Sequence, residues 1–319
     1  MLTLLKLLGD GKFHSGQALG DAIGVSRSAV WKQLQLLESE LGVEVHKVRG
    51  KGYQLANPLI LLDEHEISGA SRVPGWPVVI YESIDSTNAA ALKLVAEQHP
   101  SPFIVMAERQ TAGRGRRGRT WASPFGENLY YSLALRIAGG MRQIEGLSLV
   151  VGLAVLKTLR NAGLQGAGLK WPNDVLVGRR KVAGILLELV GDPADVCHVI
   201  IGVGINVNMR ATSQVDQLWT SLRLEVGLAV NRNVLANQLS VNIDEYLAIH
   251  QEQGFESLRD EWERNHLWQG AAVSLLAGSE VVHGVVLGID FQGALRLRVG
   301  DGEKVFNGGE LSLRLRDDS

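Results

Sequence analysis

One cysteine, Cys197, stands among 319 residues. That excludes a disulfide framework and any cysteine-built zinc site, and it points to a reducing compartment. The longest apolar run, around residues 149–156, falls far short of the roughly 18 residues a membrane-crossing helix needs. The N-terminus lacks the basic stretch, apolar stretch and small-residue cleavage site of a secretory signal. A cytoplasmic protein with no membrane partner is therefore expected. The patterns G-x-S-x-G, H-E-x-x-H and G-x-x-x-x-G-K-S/T are also absent, so no nucleophile elbow, metalloprotease helix or P-loop is available. Net charge is only −2, which confines any nucleic-acid contact to one region.

The N-terminal segment is such a region. Residues 1–57 hold seven Lys and Arg against five Asp and Glu, while the remainder is net acidic. Leu2–Leu8 reads as a short apolar helix ended by Gly9-Asp10-Gly11. A second helix closes at Gly24, and Ser26 is the expected N-cap of a third. In that third helix Val30, Leu34, Leu37 and Leu41 recur at helical spacing and should face a core. The other face carries Ser26, Arg27, Ser28, Trp31, Lys32 and Gln35. Two β-rich runs then flank Arg49-Gly50-Lys51-Gly52, a predicted hairpin with Arg49 and Lys51 at its tip. This order matches a winged helix-turn-helix, whose third helix enters the major groove while the wing touches phosphates. A three-helix protein-interaction module would leave the same pattern.

Asn57-Pro58 marks a boundary, because Pro58 restricts Asn57. Beyond it strand and helix patterns alternate. Strands are expected at 78–84, 103–110 and 128–135, with a capped helix at 85–97 and a long apolar helix at 144–161. GLKWPNDVLV and KVAGILLEL read as paired strands joined through Gly178-Arg179-Arg180, HVIIGVGINVN as another strand, and residues 232–264 as helical. From Gly270 the texture changes to short runs with glycine turns, at 271–278, 280–289, 293–300, 303–309 and 311–316, as in a small β-barrel.

The segment 113–119, GRGRRGR, packs four arginines among three glycines. It matches G-x-G-x-x-G formally, yet Pro124 and Gly126 deny the helix that a dinucleotide-binding turn must open. Fixing seven backbone residues costs about 7–14 kcal/mol, and no apolar side chain here offsets it. An anion could order the loop through bidentate guanidinium bonds; a solvated loop is the alternative. Lys170, Asn173 and Asp174 cluster at a strand end beyond Pro172, Lys181 opens the next strand, and Gly202 and Gly204 allow close backbone approach. These residues make a site of cations, amides and one or two metal-capable carboxylates with no nucleophile. It suits a substrate carboxylate attacking the α-phosphate of ATP, a reaction needing only positioning and charge.

DSTN at 85–88, QTAGRGRRGRTW at 110–121, KWPND at 170–174, Lys181 ahead of AGIL, and GVGIN at 202–206 together resemble the biotin–protein ligases. With the winged helix attached, the chain resembles the bifunctional subgroup that also represses the biotin operon. The resemblance implies an α+β multidomain protein. Its parts would be a DNA-binding domain at 1–58, a central mixed-sheet α/β domain at 63–268 akin to class II synthetase and biotinyl/lipoyl ligase folds, and an SH3-like barrel at 269–316. Biotin and ATP would give biotinyl-5′-AMP, and biotin would pass to the biotin carboxyl carrier protein of acetyl-CoA carboxylase. Adenylate would drive a homodimer onto operator DNA.

By the same resemblance, Ser86, Thr87, Asn88 and Gln110 contact the biotin head, and Arg114, Gly115 and Arg116 fold over biotin and phosphate. Gly202 and Gly204 wall the biotin tunnel. Lys181 and Arg116 carry the chemistry. Arg119, Asn173, Asp174, Asn206 and Trp219 face ATP, with Asp174 a candidate magnesium ligand. A lipoate-type ligase, a non-catalytic biotin-sensing repressor, and a ligase whose DNA-binding domain is unused remain alternatives.

Overall fold

Ser15 and Ser26 each accept a backbone N–H from their own first helical turn, so two helices start where hydroxyls can cap them. They are α2 (Gly16–Ile23) and α3 (Arg27–Leu41), preceded by α1 (Leu2–Leu8). Glycines in the left-handed conformation, Gly24 and Gly42, end both. Val30, Leu34 and Leu37 of α3 turn inward against Leu4, Leu5 and Leu8, and Leu41 packs at the edge. The hairpin of β1 (Val45–Val48) and β2 (Gly52–Leu55) follows, with Arg49 and Lys51 exposed at its tip. The computed structural model describes residues 2–69, 75–138, 143–192, 196–212, 215, 217–278, 280–308 and 311–316. Ser213, Gln214 and Asp216, and Gly309 of the fourth C-terminal run, lie outside them.

The linker is held down rather than slack. Arg232 donates to the Ile60 carbonyl at 2.7 Å, and Asn233 donates to that of Leu61 at 3.0 Å. The Leu62 N–H binds the Glu108 carboxylate, and the Asp63 N–H binds the Asn233 side chain. Arg232 and Glu108 are themselves a fully buried pair, 2.6 Å apart. Phe125, from the middle of the chain, is part of the hydrophobic core around α1–α3.

The central region runs α4 (Glu64–Ser68), β3 (Val78–Tyr81), α5 (Thr87–Ala96), β4 (Phe103–Ala107), β5 (Leu129–Ala138), α6 (Leu147–Asn161), β6 (Ala167–Lys170), β7 (Asp174–Val177), β8 (Arg180–Gly191), β9 (Val196–Ile205), α7 (Leu222–Val226), α8 (Arg232–Gln253) and α9 (Glu256–Arg264). Its seven strands order as β3-β4-β5-β9-β8-β7-β6, with β3 and β4 parallel and the other pairs antiparallel. The sheet is therefore mixed. Helix α6 is apolar nearly all round because it lies between the sheet and α8. It starts at Leu147, after a left-handed Gly146, rather than at Ile144. GLKWPNDVLV proves to be a hairpin in its own right, since KWPND forms the turn between β6 and β7. The helical stretch from residue 232 breaks at Gly254 into α8 and α9.

Five short strands close the chain: β10 (Ala272–Ala277), β11 (Glu280–Ile289), β12 (Leu295–Val299), β13 (Gly302–Phe306) and β14 (Leu311–Leu315). They form one antiparallel sheet in the order β13-β12-β11-β10-β14. Among the described residues β13 and β14 are its two edges. Its apolar side continues the central core, and Trp171 donates to the Gly293 carbonyl at 3.0 Å.

Candidate active site

Three strands build a floor from small residues. Register aligns Ser132 of β5 with Gly202 of β9 and Leu186 of β8, and Tyr130 with Gly204 and Gly184. Side chains from elsewhere fill the space the glycines leave. A methyl at Gly202 would overlap the Asn88 carboxamide, and one at Gly204 would come within 2.5 Å of the Trp121 indole. Glycine is needed here for close approach.

Ser86 caps α5, which delivers Thr87 and Asn88 onto this floor. All three are buried. The Thr87 N–H donates to Gln110 at 2.9 Å, Ser132 donates to Asn88 Oδ1 at 2.6 Å, and Asn88 Nδ2 donates to Glu188 at 2.7 Å. This small cavity measures about 60 Å³. The Trp121 indole, lying over Gly204, forms one wall of it.

The neighbouring cleft is charged and larger, about 750 Å³. Cross-strand pairing puts Lys170 opposite Asp174, and Asp174 opposite Gly184. A register shift between Val175 and Leu176 inserts one extra residue into β8. By simple alternation Lys181 and Gly184 would face opposite sides, but the bulge lets the Lys181 ammonium lie over Gly184. Asp174 Oδ1 then meets Lys181 at 2.6 Å, and Oδ2 meets Lys170 at 3.2 Å. Burial alone would push the Asp174 carboxyl up, but the two lysines outweigh it and hold it below its usual value. Burial lowers Lys170 despite the same carboxylate.

The arginine loop bridges both spaces. Arg117, at φ 60°, takes the left-handed conformation that a non-glycine residue adopts only under constraint. The loop also closes on itself, the Gly115 N–H donating to the Arg119 carbonyl at 2.7 Å. Arg116 Nη1 donates to Asn173 at 2.9 Å, and Arg114 pairs with Glu188 at 3.1 Å. The loop has no apolar side chain to hold it, and these bonds tie it to residues outside itself. Arg116 Nη2 and Trp121 Nε1, although buried, have no partner among the described residues. A buried guanidinium N–H without an acceptor, beside two lysines, is what an oxyanion would satisfy.

Most expected residues come together. Ser86, Thr87, Asn88, Gln110, Arg114, Gly202 and Gly204 line the small cavity, and Arg119, Asp174 and Asn206 the large one. Gly115, Arg116, Asn173 and Lys181 line both. Trp219 lines neither; only its backbone pairs beside Lys181. Asp174 also departs from expectation as a magnesium ligand. Each of its oxygens is taken by an ammonium, and no metal-type cluster of His, Cys, Asp or Glu occurs among the described residues. The donor set does not fit a protein-held cation. Sequence reasoning missed Ser132, Glu188 and Arg314. Arg314 lies on β14 and lines the large cleft from the C-terminal sheet, and no local motif announces it. Ser26, Arg27, Ser28, Trp31, Lys32 and Gln35 are exposed on or beside α3, as expected.

Residues 80–206 match the biotin/lipoate A/B protein ligase family, 1–54 a helix-turn-helix domain, and 270–314 the biotin protein ligase C-terminal domain. The chain is 41% identical over 315 residues to the bifunctional ligase/repressor BirA of Salmonella typhimurium, covering 98% of this chain and 97% of that protein. It is 38% identical over 233 residues to the biotin–[acetyl-CoA-carboxylase] ligase of Paracoccus denitrificans, covering 71% and 96%. Among solved structures, the Aquifex aeolicus biotin protein ligase in complex with biotin and ATP is similar, with TM-score 0.66 and 32% identity over 75% of this chain and 99% of that one.

Proposed function

The chain belongs to the family of BirA bifunctional ligase/repressors, and from that premise we propose that it activates biotin with ATP and transfers it to a lysine of a carrier protein. The unpartnered Arg116 Nη2 beside the Lys181–Asp174–Lys170 trio carries this reading. A carboxylate oxygen of biotin attacks the α-phosphorus of ATP, the bond to the bridging oxygen breaks, and pyrophosphate leaves. Charge then builds on the α-phosphoryl oxygens. Lys181 and Arg116, shared by both cavities, are the cations that stabilise it. In the second step a neutral lysine amine of the carrier attacks the biotinyl carbonyl, AMP leaves, and the amine's surplus proton goes to solvent. No step is assigned to magnesium.

The remaining roles follow the same reading. Ser86, Thr87, Asn88 and Gln110 hold the ureido ring, Gly202 and Gly204 wall it, and Arg114 and Gly115 close over it. Arg119, Asn173 and Asn206 face ATP. The acceptor is the biotin carboxyl carrier protein of acetyl-CoA carboxylase, and both partners are cytoplasmic. The spans 1–58, 63–268 and 269–316 are taken as units, the central one akin to class II synthetases and the last an SH3-like barrel. One winged helix makes few phosphate contacts, so operator binding calls for a homodimer that sums two sets. Adenylate favouring that dimer would link repression to unused biotin.

One incubation tests the ligase. With biotin, ATP and a carrier domain, the carrier gains one biotinyl mass and AMP appears. Lipoate in place of biotin gives no product. A carrier labelled by lipoate alone would overturn the assignment.

A further inference from the structure

A chain of hydrogen bonds leaves the arginine loop at Arg114, runs past the small cavity and ends at Trp121, two residues beyond the loop. Arg114 donates to Glu188 Oε2 at 3.1 Å, and Asn88 Nδ2 donates to the same oxygen at 2.7 Å. Asn88 Oδ1 accepts from Ser132 at 2.6 Å, and Ser132 Oγ lies 2.8 Å from the Thr87 hydroxyl. The Thr87 hydroxyl in turn donates to Gln110 Oε1 at 3.2 Å. The Thr87 N–H then binds Gln110 Oε1, Gln110 Nε2 donates to Ser123 at 3.1 Å, and Ser123 donates to the Trp121 carbonyl at 3.0 Å. Three of its members, Ser123, Ser132 and Glu188, lie outside the family-like motifs.

Glu188 is the only carboxylate in this chain of bonds and the member that joins it to the loop. It lies on β8 two residues beyond Leu186, just outside the cavity lining, and reaches it through Asn88 and Arg114. Gly202 lets the Asn88 carboxamide lie flat on the sheet, where Glu188 reaches it.

We propose that Glu188 is a positioning residue for the ligase reaction: through Asn88 it orients the floor that receives the biotin head, and through Arg114 it latches the loop over that floor. The proposal rests on the biotin reading of this site. It makes the two ends of Glu188 separable. Its bond from buried Asn88 matters more than its pair with half-exposed Arg114, because exposed ion pairs contribute little.

Full-length Glu188→Gln, Glu188→Ala and Arg114→Ala proteins decide it. Glutamine still accepts from Asn88 but loses the charge. Glu188→Gln should therefore keep the biotin KM and shorten the lifetime of bound adenylate by about threefold to fivefold. Glu188→Ala strands the Asn88 N–H and should raise the biotin KM by about tenfold with the ATP KM unchanged. Adding Arg114→Ala to Glu188→Ala should shorten adenylate lifetime by less than Arg114→Ala does alone. A Glu188→Ala enzyme within twofold of wild type in biotin KM and adenylate lifetime overturns the proposal, as does a parallel rise in both KM values. If the alanine variant does not fold, an adenylate lifetime in Glu188→Gln equal to that of wild type overturns the latch. Wild type that binds no biotin refutes instead the reading of the site itself.

Discussion

The two cavities meet along one seam and differ in almost everything else. The small one is lined largely by amides, hydroxyls, glycines and aromatic rings, with Arg114 and the shared Arg116 and Lys181 at one side and no carboxylate in its lining. The large one gathers Lys170, Lys181, Arg116, Arg117, Arg119 and Arg314 around a single carboxylate, Asp174. The contrast follows the chemistry of what each would hold. A ureido ring is neutral and is recognised by directed donors and acceptors. A triphosphate is highly charged, and its reaction is accelerated by fixed positive charge. Residues on the seam serve both, so damage there should be worst.

Lys181→Ala on the seam should cut adenylate formation by about 10²-fold or more while the protein still folds. Biotin-dependent pyrophosphate exchange measures it, and a loss of only a few-fold would remove Lys181 from the chemistry. Arg116→Ala comes next. Losing the N–H that awaits the phosphate should release adenylate about tenfold faster, read by trapping free adenylate with carrier.

Within the small cavity, Gly202→Ala drives a methyl into Asn88. Biotin affinity should fall about tenfold with ATP affinity intact, since overpacking is local. Equal losses for both ligands would erase the distinction between the cavities.

In the charged cavity, pH supplies the test. The folded Asp174 carboxyl titrates below its unfolded value. Its contribution is therefore present above the unfolded value and is lost as pH falls through the lower folded one. Lys181→Met removes one of the two opposing lysines and brings the folded value back up toward the unfolded one, so less stability should be lost on acidification. Urea midpoints measured from neutral to acid conditions in both proteins check the direction, and superimposable curves would contradict it. Least affected of all should be ligation by Arg27→Ala. That variant belongs to the winged helix, and it should lower the salt slope of operator binding by about 1 per protomer, about 2 for a dimer, while adenylate formation is untouched.

Much of this contrast is legible in the sequence, because it lives in local motifs. DSTN caps and starts α5, KWPND is a turn, and the glycines of GVGIN mark a floor. The alternation of apolar runs gives most strands, and Ser15, Ser26, Gly24 and Gly42 bracket the N-terminal helices. What the sequence hides is pairing between distant strands. Ser132 looks like one more polar residue in β5 until register sets it beside Gly202. Glu188 looks like a solvated strand residue until α5 brings Asn88 over it. Arg314 enters the cleft from another sheet. The bulge that turns Lys181 toward Asp174 shows only as an apolar run, and the partners of the arginine loop lie 57 and 74 residues away.

The buried Arg232–Glu108 pair and the Asn233 side chain grip four consecutive backbone groups between residues 60 and 63. A domain so moored has a fixed reach, unlike one on a flexible tether whose span varies with chain statistics. In a symmetric pair, both recognition helices would then be presented at one separation. Operators with their half-sites moved by a few base pairs would be refused, because neither arm can lengthen to follow them.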